Sequence, residues 1–125
     1  MATTATMTFR RTDYSGRGCL EYSWVPEGKR RIIILGPGQA EHTQADTVPD
    51  NLKISQVQVY VLSNDELSTE MWQFPPGPPH THPVTTASVS VLAKEAVGTV
   101  QYTDGTQAAD TRHLDAYPRK CPTGF

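Results

Sequence analysis

The chain has 125 residues, a formal net charge of −2 at pH 7, 37% hydrophobic and 19% charged residues, ten prolines and nine glycines. That is enough for one domain with its own core and too little for two, and the balance excludes disordered and fibrous classes. No run approaches the roughly 20 apolar residues of a membrane-spanning helix.

The N-terminal stretch Met1 to Phe9 has neither a basic start nor an apolar centre, so it does not read as a secretory signal. A cytoplasmic location without a membrane partner is the expectation. Cys19 and Cys121 lie near opposite ends of the chain and form no zinc-type spacing. Two reduced thiols are expected in an intracellular protein, with a disulfide between them as the alternative. Arg10, Arg11, Arg17, Lys29, Arg30 and Arg31 place six of the eleven basic residues in the first quarter of the chain. They form either a nucleic-acid-facing edge or a solvated face of edge-strand gatekeepers.

In chain order, strand signals dominate. Thr6 to Arg11 alternates weakly and Leu20 to Val25 better, and Pro26-Glu27-Gly28-Lys29 turns the chain into Arg30 to Leu35, whose Ile32-Ile33-Ile34-Leu35 is the longest apolar run. Gly36-Pro37-Gly38 ends that unit. Gln39 to Asn51 is polar and reads as a long loop, of the kind that borders binding sites, with His42 a possible contributor.

Leu52 to Leu62 is the best strand pattern, with Val57, Val59 and Val61 alternating against Gln56, Gln58 and Tyr60. Ser63-Asn64-Asp65 turns it into Leu67 to Phe74, giving an antiparallel hairpin. Pro75-Pro76-Gly77-Pro78-Pro79 is a stiff connection that delivers His80 and His82 to a defined place. Thr85 to Leu92 reads as a strand through its β-branched residues, although Ala87, Val91, Leu92 and Glu95 also fit one amphipathic helix. Gly98 to Tyr102 is the next strand, Thr103-Asp104-Gly105-Thr106 a tight turn, and Leu114 to Phe125 an edge strand with an irregular end.

The chemistry concentrates on His80-Thr81-His82. Histidines at i and i+2 of a strand point to one face and can bind one metal ion together. Without a metal, an imidazole can act as general acid or base near neutral pH. Plain structural histidines are the third possibility.

The run Phe74-Pro75-Pro76-Gly77-Pro78-Pro79-His80-Thr81-His82-Pro83, followed by Val89 to Leu92, Gly98 to Tyr102, Asp104-Gly105 and Ala116 to Phe125, resembles the small single-domain cupin family. The resemblance covers about the last half of the chain. It implies an all-β, antiparallel jelly-roll or cupin-like β-barrel over residues 1–125, with His80 and His82 inside the barrel. It also implies a divalent metal (Fe, Mn, Ni or Zn) on those histidines, although Thr86 or Ala87 stands where the family's acidic ligand belongs and Thr123 where its last histidine belongs. A site without cofactor is the equal alternative.

The leading expectation is therefore a cupin-like isomerase, cyclase, lyase or oxygenase acting on a small molecule, as a homodimer. His80 and His82 would be catalytic, and Tyr60, Glu70, Trp72 and Tyr102 would line the substrate pocket. Two rivals stand beside it. One is a β-rich structural or assembly protein, such as a viral or phage coat subunit, binding nucleic acid through its basic N-terminal strands. The other is a non-catalytic ligand-binding barrel.

Overall fold

A computed structural model describes residues 2–13, 16–49, 52–62 and 67–115. Nine strands run through them: β1 (Ala2–Arg11), β2 (Gly18–Val25), β3 (Arg30–Leu35), β4 (Glu41–Pro49), β5 (Gln56–Leu62), β6 (Trp72–Phe74), β7 (Val84–Leu92), β8 (Glu95–Tyr102) and β9 (Gln107–His113). The described residues are all-β, in a five-stranded sheet ordered β4-β1-β7-β8-β9 and a four-stranded sheet ordered β3-β2-β5-β6. Every pairing is antiparallel except β1 with β7. The expected turn at Ser63 to Asp65 and the tail beyond Asp115, with Thr123, lie outside the described residues.

The two sheets pack face to face because alternate positions of both carry large apolar side chains. Met7 and Phe9 from the first sheet join Tyr22, Trp24, Val57, Val59, Trp72 and Phe74 from the second in one buried cluster. Trp24, Trp72, Tyr22, Phe9 and Phe74 are each less than 2% exposed and fill the space between the layers. The filling is tight enough to require a glycine. A Cβ on Gly98 of β8 would come within 2.8 Å of the Phe74 ring.

Several sequence expectations change here. Residues 41–49 form β4 rather than a loop, paired with β1 from Ala2↔Pro49 to Arg10↔Glu41. Its inward positions include the buried carboxylate of Asp46, so polarity alternation hides the strand. Strand structure begins at Gln56 instead of Leu52, and in the following segment only Trp72–Phe74 forms a strand. Upstream of it, the Thr69 hydroxyl accepts the Val61 N–H at 3.1 Å, a side chain standing in for a ladder carbonyl. Residues 84–92 are strand, so the helical alternative falls. Gln107–His113 forms an edge strand, β9, that the sequence reading did not include, and the edge strand expected over Leu114 to Phe125 falls almost wholly outside the described residues.

Cys19 is disulfide-bonded, contrary to the expected reduced thiol. Cys121, the chain's other cysteine, lies outside the described residues. Among the described residues, no helix is long and apolar enough to cross a membrane.

Candidate functional site

His80 and His82 sit in the loop between β6 and β7, and not on a strand as expected. The β8–β9 turn faces that loop. Gly105 adopts φ 86°, its N–H reaches the Tyr102 carbonyl at 3.0 Å, and the Tyr102 N–H reaches the Thr106 carbonyl at 2.9 Å. The Thr103 N–H donates to the Pro83 carbonyl at 3.0 Å and fastens turn to loop.

His80 lies flat on Tyr102, with ring centroids 3.8 Å apart and planes 9° from parallel. Tyr102 is itself anchored, its hydroxyl donating to the Ser55 carbonyl at 3.2 Å. Burial, followed by the nearby Asp104 charge, pushes the Tyr102 phenol above its ordinary pKa, so it is a neutral donor.

The Nδ1 atom of His80 accepts the His82 backbone N–H at 3.0 Å, which in the neutral ring puts the proton on Nε2. That nitrogen is 3.2 Å from Oγ1 of Thr106, whose hydroxyl donates to Oδ1 of Asp104 at 2.6 Å. The result is a relay from His80 through Thr106 to Asp104. Oδ2 of Asp104 faces Nε2 of His80 at 3.8 Å and Nε2 of His82 at 4.0 Å. The Asp104 carboxyl is held below its ordinary pKa, chiefly by the Thr106 hydroxyl, then by the Thr106 amide and the two histidines.

The sequence reading used Asp104 as a turn residue and as part of the cupin-like run, and gave it no chemical role. An Asp-Gly pair following a strand gives no hint of which loop will lie against it. Of the four residues expected to line a pocket, Tyr102 stacks on His80. Tyr60 lies on the outward register of β5, half-buried, and Glu70 is exposed ahead of β6. Trp72 is buried, packed at 4.8 Å on Phe74, and its indole N–H donates to Asp110 at 2.9 Å. His42 is exposed on β4.

A divalent metal does not fit these residues as they stand. With bonds near ~2.1 Å, tetrahedral ligand atoms lie about 3.4 Å apart. The carboxylate oxygen is farther than that from both imidazole nitrogens, and both His80 nitrogens already have partners. No group of three His, Cys, Asp or Glu side chains among the described residues is arranged to hold one.

A second polar network escaped the sequence reading because its centre, Asp46, fell in the expected loop. Asp46 accepts from the Tyr22 hydroxyl at 2.5 Å and the Trp24 indole at 2.9 Å, and pairs with Arg31 Nε at 3.2 Å. Glu27 completes the Arg31 fork at 2.5 and 3.1 Å. Burial and the Asp46 partner hold the Tyr22 phenol far above its ordinary pKa.

Of the N-terminal basic residues, Arg11 and Arg31 are engaged within the fold, while Arg10, Arg17, Lys29 and Arg30 are exposed. Arg11 is 5% exposed and donates to the carbonyls of Gln39, Gly16 and Gly36. Arg10 and Arg30 each stand 3.5 Å from a glutamate, Glu41 and Glu21. Comparison with known proteins finds no family model, no curated protein and no solved structure that matches this chain.

Proposed function

We propose that this chain is a structural or assembly module, working through its surfaces rather than by turning over a small molecule in an interior pocket. The observation that carries the reading is the filled space between the sheets. Five aromatic side chains occupy it, each less than 2% exposed. One cleft among the described residues, lined by Thr3, Ala5, Val48, Leu52, Lys53, Ile54, Pro83 and Val84, has a volume of about 90 Å³. Sites for organic ligands run to roughly 300 Å³ or more. A disulfide at Cys19 supports an oxidising setting in place of the cytoplasm.

Size-exclusion chromatography with light scattering tests this reading. A species larger than the 13.8 kDa chain is expected at micromolar concentration. A strict monomer overturns it.

A second reading has one observation in its favour. The His80–Thr106–Asp104 relay holds its loop in place and leaves His82, half-exposed beside Asp104, as the imidazole presented for metal-free acid–base chemistry at the rim of the fold. The cupin-like enzyme, with its jelly-roll closure, belongs to this reading. Elemental analysis together with His80→Ala and His82→Ala tests it: a bound metal overturns the metal-free chemistry, and ligand binding indifferent to both changes removes the site.

A further inference from the structure

The outer side of the five-stranded sheet is ruled with hydroxyl groups. Along β1, Thr4, Thr6, Thr8 and Arg10 alternate with buried Ala5, Met7, Phe9 and Arg11. Strand register extends that pattern sideways, and the row through Thr8 reads Thr43, Thr8, Ser88, Thr99, Ala109. The next row, through Thr6 and Thr86, likewise contains only hydroxyl, amide and methyl side chains. Neighbouring hydroxyls are already in contact, Thr8 with Thr43 at 2.8 Å and Ser88 with Thr99 at 2.5 Å. Charge first appears in the row beyond, where Arg10 stands 3.5 Å from Glu41. Farther along the same face, Leu92 is 60% exposed.

Soluble surfaces carry ionisable side chains at roughly a quarter to a third of positions, and interface centres are depleted of them. Two full rows without one, across all five strands, match the depletion of charge at interface centres. The face is also large enough. Five strands at ~4.8 Å and about four outward positions at ~6.8 Å give about 650 Å² per copy, or about 1,300 Å² over two, above the ~1,000 Å² a specific interface needs.

We propose that a second copy of this chain docks on this face, sheet against sheet. A hydroxyl both donates and accepts, so a face built of hydroxyls complements itself across a two-fold axis. Short Thr and Ser side chains let the layers approach to the ~10 Å of stacked sheets. The proposal rests on the assembly reading and supplies its surface.

Sedimentation equilibrium on the full chain, alongside Thr86→Glu, Ser88→Glu and a control, Lys29→Glu in the β2–β3 turn, decides it. Thr86 is exposed, so its variant keeps the fold, which circular dichroism checks. Wild type and control should dimerise, and each face variant should weaken the dimer at least ~10-fold by bringing like charges together at the axis. A wild type that associates but is indifferent to both face variants overturns this face and leaves the assembly reading standing. A wild type monomeric up to about 100 µM, weaker than any stable dimer, overturns both.

Discussion

The indole N–H of Trp24 donates to the carboxylate of Asp46 at 2.9 Å, tying the four-stranded sheet to the outermost strand of the five-stranded one. The opposite border repeats the device, with Trp72 of β6 donating to Asp110 of β9 at 2.9 Å. Each pairing carries a side-chain bond across a border between the two sheets, and at the second border Ser68 and Asp115 add a reciprocal pair of backbone hydrogen bonds at 2.8 Å.

Asp46→Ala should therefore be among the most damaging single substitutions. It leaves the Tyr22 hydroxyl, the Trp24 indole and one side of Arg31 without their shared acceptor. Removing one partner of a buried ion pair costs about 3–5 kcal/mol. Urea unfolding at pH 7 measures it, and a loss below ~1 kcal/mol would show that water replaces the carboxylate at little cost.

Gly98→Ala should destabilise through steric conflict with Phe74, whose ring a new Cβ would meet at 2.8 Å. Overpacking of this kind costs about 1–3 kcal/mol. A double-mutant cycle with Phe74→Leu checks the cause: in the smaller background the penalty of Gly98→Ala should shrink.

The contact between the β6–β7 loop and the β8–β9 turn should weaken in acid. The folded Asp104 carboxyl has a lowered pKa, so its contribution is present above the ordinary aspartate range and is lost as pH falls through the folded value. The largest cause is the Thr106 hydroxyl, so Thr106→Val should move the midpoint upward. Carbon-detected NMR titration of the Asp104 carboxyl reads both effects, and an unchanged midpoint in Thr106→Val would assign the shift elsewhere.

Cys19 should resist thiol reagents in denaturant until a reductant is added, because it is disulfide-bonded. Loss of a native disulfide typically costs about 2–4 kcal/mol, so reduction should lower the melting temperature. Immediate reaction of the unreduced, unfolded chain would contradict the bond.

How much was legible in the sequence varies by element. The alternation of Val57, Val59 and Val61 announced β5, and all three are buried. The Asp104-Gly105 turn was legible for the same local reason, since Gly105 supplies the positive φ. By contrast β4 was invisible. Its strand character comes from pairing along β1, and its buried face presents a carboxylate where a pattern reading looks for a methyl group. β9 was missed similarly, because an edge strand needs few apolar residues to stay paired.

The sequence by itself determined an all-β chain, most of its strands and turns, and a histidine pair behind a proline-rich lead. These depend on side-chain period and fixed φ angles, which act over a few residues. Tertiary structure alone decided that His80 stacks on Tyr102 and reaches Asp104 through Thr106. It also decided that Asp46 centres a buried network, and that threonines and serines distant in the chain share one uncharged face. Those relationships follow from strand order and register across the sheets, which are set by packing between segments far apart in sequence.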